Sequence, residues 1–168
     1  MSEVQTKEQR LQSLMDEYGD SVLRMCYVYL KDYQLAEDVT QETFIRVYQY
    51  LDEFKGQSSI KTWIIQIAIN LSKNQMRTNW WKNRVDEELP DIPTNEYSDS
   101  FVDRQLIMNE VSKLPSKYRE VILLYYYQEL SIAEVAMVLH INESTVKSRL
   151  SRAKKKLKPE LKEVLCYE

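Results

Sequence analysis

Between Thr145 and Lys156 the chain alternates hydroxyls and cations: Thr145, Lys147, Ser148, Arg149, Ser151, Arg152, then Lys154, Lys155 and Lys156. Arginine can donate two bonds to a guanine edge, a hydroxyl can bond either strand's bases, and lysine suits phosphate. Such a set on one helix is the chemistry of duplex DNA readout. The first turns would face bases, and Lys154, Lys155, Lys156 and Lys158 further along would face phosphates. A second set differs in kind. Lys61, Asn70, Lys73, Asn74 and Arg77 accompany Trp63, with Trp80 and Trp81 just beyond. Amides, cations and aromatic rings suit unpaired nucleotides, which offer π faces and base edges.

The elements that carry these sets read as helices. Val146, Leu150, Ala153 and Leu157 stripe the last one. Ahead of it, Ser131 followed by Glu134 reads as a capping box opening the short helix SIAEVAMVL, and the break at HIN completes a helix-turn-helix. His140 stands where such turns often place Gly, and His tolerates positive φ better than most residues, so a turn role is expected for it. Ala136 suits a close helix crossing and Ile141 a plug for the turn. Pro115 opens the preceding helix, with Tyr118, Val121, Ile122 and Tyr125 as its buried face. In the N-terminal half, Leu11, Leu14, Met15, Tyr18, Val22, Met25, Cys26 and Tyr29 make one stripe. Val39, Thr43, Val47 and Leu51, flanked by Phe44 and Tyr48, make a second. A third runs from the Ser58–Ser59 cap through Ile60, Trp63, Ile64, Ile67, Ala68 and Leu71, which places Trp63 in the core.

Composition excludes the other classes. Gly 2 and Pro 4 in 168 residues leave no material for a many-stranded sandwich, a Gly-rich phosphate loop or a dinucleotide fingerprint. Two cysteines and one histidine cannot build a Cys/His metal cage or a disulfide framework, and they fit a reducing, cytoplasmic location. Neither a signal peptide nor a membrane span is expected, because the longest apolar tract, WIIQIAI, falls far short of the ~20 residues needed. No nucleophile–base pair can be assembled, so neither an enzyme, a cofactor nor a small-molecule substrate is expected.

The net charge of −3 hides a pattern. Residues 1–60 hold 6 basic and 11 acidic groups, 61–84 hold 5 and 0, 85–104 hold 1 and 7, and 144–168 hold 8 and 3. The acidic stretch VDEELPDIPTNEYSDSFVDR contains two of the four prolines and no sustained helical period. It is expected to be a linker, over 83–104, between helical domains at 8–82 and 105–165. The fold class is then all-α: two small helical domains on an acidic tether. Fully extended, the tether reaches up to roughly 70 Å, about two turns of DNA.

AEDVTQETFIRVYQYLDEF followed by SSIKTWIIQIAIN resembles region 2 of the extracytoplasmic-function sigma factors of the sigma-70 family. LPSKYREVILLYYYQELSIAEVAMVLHINESTVKSRLSRAKKKL resembles their region 4. Gln66 stands where relatives often carry Arg, Asn74 where they carry Asp, and Ser144 where Gly frequently opens the recognition helix. The resemblance implies a non-catalytic initiation factor that binds core RNA polymerase and directs it to promoters. It implies that Asp38, Gln41, Glu42 and Arg46 face the clamp of the largest polymerase subunit. The region 4-like domain would face the flap. The segment from Lys55 to Lys61, with Ser58 and Ser59, would join Asn70, Lys73, Asn74 and Arg77 in holding the melted −10 strand. Thr145, Lys147, Ser148, Arg149, Ser151, Arg152 and Lys155 would read the −35 duplex. The acidic tether would thread between them through the polymerase. An anti-sigma factor is a further implied partner; a membrane-bound one would hold the chain at the inner face of the membrane. The alternative is a LuxR-type regulator, whose helix-turn-helix has a similar SIAEVA…STVKSRL pattern, with residues 1–80 as sensor or dimer module. It would bind a palindrome as a dimer, without polymerase.

Overall fold

The computed structural model describes residues 4–78 and 99–157, the first seven of the second range by backbone alone. All regular structure in these residues is helical, and the chain forms two compact units, 1–81 and 82–168. None of the described helices is long and apolar enough to cross a membrane. Trp80, Trp81, Lys158, Cys166 and positions 83–98 of the expected linker lie outside the described residues.

The first unit holds α1 (Lys7–Leu30), α2 (Tyr33–Tyr50), a 3-10 turn (Leu51–Glu53) and α3 (Ile60–Thr78). Thr6 and Gln9 form a reciprocal capping box: Thr6 Oγ1 accepts from the Gln9 N–H at 3.1 Å, and Gln9 Oε1 accepts from the Thr6 N–H at 2.9 Å. α1 stops where Lys31 turns left-handed (φ 59°), and Asp32 at once caps α2, its carboxylate accepting from the Leu35 N–H at 3.1 Å. So short a connection makes α1 and α2 antiparallel neighbours. Their open ends are tied as well: the Tyr48 hydroxyl donates to Glu8 at 2.7 Å, and Lys7 reaches Asp52 at 3.3 Å.

The core is formed by Val22, Met25, Cys26 and Tyr29 with Val39, Phe44, Val47 and Leu51 and with Ile64, Ile65, Ala68 and Ile69. Two readings of the stripes need correction. From Met25 to Leu30 every residue of α1 is buried, while Met15, expected in the core, is 42% exposed. On α3 the buried set is Thr62, Ile64, Ile65, Ala68, Ile69 and Ser72, so Trp63, Ile67 and Leu71 are only half-buried. WIIQIAIN is apolar almost all round, and its period fits two phases. The small hydroxyls of Thr62 and Ser72 are buried with their bonds satisfied: Ser59 at the start of the helix reaches Thr62 at 2.9 Å, and the Ser72 hydroxyl donates to buried Cys26 Sγ at 3.5 Å.

Cys26 is wholly buried, and burial pushes its thiol up to about 11 from an ordinary 9.0. At pH 8 its thiolate fraction is then on the order of a thousandth. In a Cys166→Ser background, a thiol reagent at pH 8 should therefore label Cys26 only as fast as the unit opens, and at full rate in denaturant. Free labelling of the folded chain would contradict the packing. Because the folded thiol is raised, this group's contribution to stability is intact below pH 9 and is lost as pH climbs through about 11.

The second unit holds α4 (Asp99–Ser112), α5 (Ser116–Ile122), α6 (Ile132–Leu139) and α7 (Glu143–Lys156). α4 begins six residues inside the stretch expected to be linker. Its sequence DSFVDRQLIMNEVS places two aspartates in the opening turns, where carboxylates favour a helix N-terminus, although no clean apolar stripe advertises it. Val111 and Leu114 at its far end are buried. α5 widens into a π turn over Leu123–Tyr127, which leaves Tyr125 half-buried where the core was expected. Ser131 Oγ caps α6 by accepting from the Glu134 N–H at 3.1 Å. His140 ends α6 in the left-handed conformation (φ 55°), as a turn residue there must. Val146, Leu150, Ala153 and Leu157 are buried as expected, with Leu157 just past the end of α7, and Ile141 is half-buried in the turn.

Candidate functional site

Three surfaces carry the residues singled out by sequence. On α2, Asp38, Gln41, Ile45 and Arg46 are exposed and Glu42 is half-buried. Asp38, Gln41 and Ile45 lie on the side away from Val39, Thr43 and Val47, with Glu42 and Arg46 on the flank toward Val39. Glu42 pairs with Arg46 at 3.1 Å, and Asp38 accepts from Gln34 at 3.1 Å. Ile45 is a residue the sequence reading passed over. It is half in solvent amid these polar groups, and its signal was an apolar side chain falling off the Val39–Thr43–Val47 stripe.

On α3, Trp63, Gln66, Asn70, Asn74 and Arg77 recur at i, i+3, i+7, i+11 and i+14, one continuous face opposite the buried one. Trp63 stacks on Phe54 (centroids 4.9 Å apart, planes at 26°), so the ring expected in the core is instead a supported surface platform. Lys73 projects from the flank of this face, and Lys61 from nearly the opposite side at the first turn. Gly56 takes φ 71° in the preceding loop, a conformation glycine adopts at no steric cost. Ser58 and Ser59 are occupied locally: Ser58 donates to the Ser59 carbonyl at 3.0 Å, and Ser59 Oγ accepts from the Thr62 N–H at 3.1 Å. They shape the loop and the start of α3.

On α7, Lys147, Ser148, Ser151, Arg152 and Lys155 are exposed together. The remaining candidates are partly committed within the unit. Asn142 Oδ1 accepts from the Thr145 N–H (2.8 Å), the Thr145 hydroxyl (2.6 Å) and the Ser144 hydroxyl (2.9 Å), so Thr145 is left with an acceptor oxygen but no free proton. Arg149 lies 3.6 Å from Glu120, whose side chain is 4% exposed. Arg149, expected at the base edges, is thus set against a carboxylate of α5 within the unit while its side chain stays 26% exposed. Lys154 sits over the Tyr126 ring at 5.1 Å and Lys156 over Tyr118 at 5.7 Å, which draws both toward the protein.

A match to sigma-70 region 2 spans residues 14–82, and one to sigma-70 region 4 spans residues 104–157. SigW of Bacillus subtilis, an extracytoplasmic-function RNA polymerase sigma factor, is 33% identical over 165 residues, covering 90% of this chain and 88% of its own. This chain belongs to the extracytoplasmic-function sigma factors. SigM of the same organism is 31% identical over 145 residues, 84% of this chain and 88% of its own. The sigma factor RpoE from Bartonella quintana, solved as a co-crystal with the anti-sigma factor NepR, gives a TM-score of 0.70 at 22% identity over 94% of this chain and 99% of that one, a likeness of fold. The protein is thus an alternative sigma factor, acting in transcription initiation. Region 2 in the N-terminal unit separates it from the LuxR-type reading, which needs a sensor or dimer module there.

Proposed function

We propose that this sigma factor, without catalysing any reaction itself, docks on core polymerase through the outer face of α2, captures unpaired −10 nucleotides on the Trp63–Asn74 face of α3, and reads the −35 duplex with α7. The residues before α4 tether the two units. The observation that carries this reading is the order of surfaces: an exposed polar face with one apolar centre, then an aromatic-amide face, then a hydroxyl-cation face, each on the side of its helix away from the core. The chemistry of each fits one ligand: protein, single strand and duplex. A cytoplasmic location, possession of an anti-sigma partner and contact with the polymerase flap belong to the same reading. Run-off transcription with core polymerase on a promoter library tests it. A one-to-one holoenzyme initiating at a defined promoter set is expected, whereas a dimer that binds DNA but never initiates would overturn it.

The α3 face gives a sharper test. Base–aromatic stacking is worth ~1–3 kcal/mol per base, so Trp63→Ala should slow opening of a duplex promoter by tenfold or so while sparing a template whose −10 segment is already mismatched. Asn70→Ala and Asn74→Ala should act in the same direction. Since Trp63 is half-buried, the variant's melting temperature should fall far less than that of an Ile65→Ala control, whose wholly buried side chain leaves a cavity. Equal loss on both templates would return Trp63 to a purely structural role.

A further inference from the structure

The 3-10 turn Leu51–Glu53 does more than end α2. Leu51 is buried in the core, and Asp52 is met from α1 by Lys7 at 3.3 Å and Arg10 at 3.9 Å, so the turn is restrained on both sides. Its closing bond, from the Phe54 N–H to the Leu51 carbonyl at 3.4 Å, releases the chain in an extended conformation at Phe54 (φ −66°, ψ 117°). There the Phe54 ring lies against the Trp63 indole, with centroids 4.9 Å apart and planes at 26°. Neither ring sits in the core, since both are half-buried while Ile64 and Ile65 beside Trp63 are wholly buried. The stack therefore acts mainly on the freedom of the indole. With one face covered, Trp63 is held in one orientation and has one face left for a ligand.

We propose that Phe54 is a positioning residue for promoter opening: it fixes the Trp63 indole in the orientation in which its uncovered face takes one unpaired base, and it keeps a second base off the covered face. The inference rests on the reading that the α3 face captures the −10 strand. A ring that must be ordered as the base arrives loses part of the stacking energy to its own ordering, and a ring ordered beforehand does not. Phe54 acts through Trp63 and not on the nucleotide. The restrained turn that carries it ties the platform to the start of α1, so that the stiffness of a surface aromatic comes from the body of the unit.

The test uses holoenzyme on a duplex promoter from which it initiates and on the same promoter with its −10 segment already mismatched. Phe54→Ala should slow opening of the duplex by about twofold to tenfold, the range that the geometry of an aromatic pair is worth, and spare the mismatched template. Phe54→Tyr should keep the wild-type rate. Phe54→Leu, which keeps apolar bulk without a flat ring and serves if alanine destabilises the unit, should be as slow as Phe54→Ala. Combined with Trp63→Ala, Phe54→Ala should add nothing, because the two residues act as one unit. A readout without DNA comes from the free factor. With Trp80→Phe and Trp81→Phe leaving Trp63 as the sole tryptophan, Phe54→Ala should lower the anisotropy of its fluorescence. Unchanged anisotropy, wild-type duplex opening by Phe54→Ala and Phe54→Leu, equal loss on both templates, or full additivity with Trp63→Ala overturns the positioning role, and capture by α3 stands so long as Trp63→Ala is slow on the duplex alone. Duplex opening at the wild-type rate by Trp63→Ala overturns both.

Discussion

Replacing Asp38, Gln41 and Glu42 together by alanine is expected to abolish co-purification with core polymerase while leaving the helical signal and melting temperature near wild type. These side chains lie on the outer face of α2, and the buried residues Val39, Thr43 and Val47 that hold α2 in its unit are untouched. Ile45→Ser alone should cost at least ~2 kcal/mol of binding, about thirtyfold, because an apolar side chain at the centre of a polar rim has the anatomy of a binding hot spot. Arg46→Ala should cost less, since its ion pair with Glu42 is solvent-exposed and such pairs are worth little. Binding measured by co-elution and by competition with a labelled sigma factor separates these variants. Full binding by the triple variant would move the interface off α2.

Arg149→Ala should act mainly on folding. Breaking a buried ion pair by removing one partner costs ~3–5 kcal/mol, and the lower end applies here because the Arg149 side chain is 26% exposed. For a unit of this size each kcal/mol moves the melting temperature by roughly 4–8 °C, so a fall of 10 °C or more is expected. All promoters should then weaken alike. Arg152→Ala, removing an exposed guanidinium, should melt like wild type and cost ~1–3 kcal/mol at one −35 position if its contact is a bidentate bond to guanine. Substituting Glu120 and Arg149 together by leucine should recover most of the lost stability, since an apolar pair can replace a buried ion pair. A stable Arg149→Ala variant with relaxed specificity at a single position would make Arg149 a base reader after all.

What could be read from sequence was whatever local chemistry decides. The Ser131 cap, the left-handed His140 and the α7 stripe follow from interactions within a few residues, and they stand in the structure as expected. What could not be read depends on partners from other elements. Glu120 looks like an ordinary surface carboxylate until α7 brings Arg149 against it, and Arg119 is buried because its guanidinium reaches the Ser112 carbonyl at the end of α4 at 3.1 Å. The phase of α3 was ambiguous for a different reason: an all-round apolar helix carries two acceptable stripes, and the choice between them depends on partners from other elements, such as Cys26 of α1 for Ser72. That single rotation moved Trp63 from the core to the surface and with it the content of the candidate site. The start of α4 was hidden because its acidic opening has the composition of a tether.

The opposed faces of α3 bear on how such a protein diverges. Its stability is vested in Ile64, Ile65, Ala68 and Ile69, while Gln66, Asn70 and Asn74 stand on the other side of the same rod, where a substitution opens no hole in the core. If the α3 face captures the −10 strand as proposed, a daughter lineage after duplication is free to alter Gln66 or Asn74 and acquire a new promoter set without first accumulating compensating changes in its core. Neutral drift on one side of a helix thereby becomes regulatory novelty, and the two kinds of change should leave separate records, one on each face.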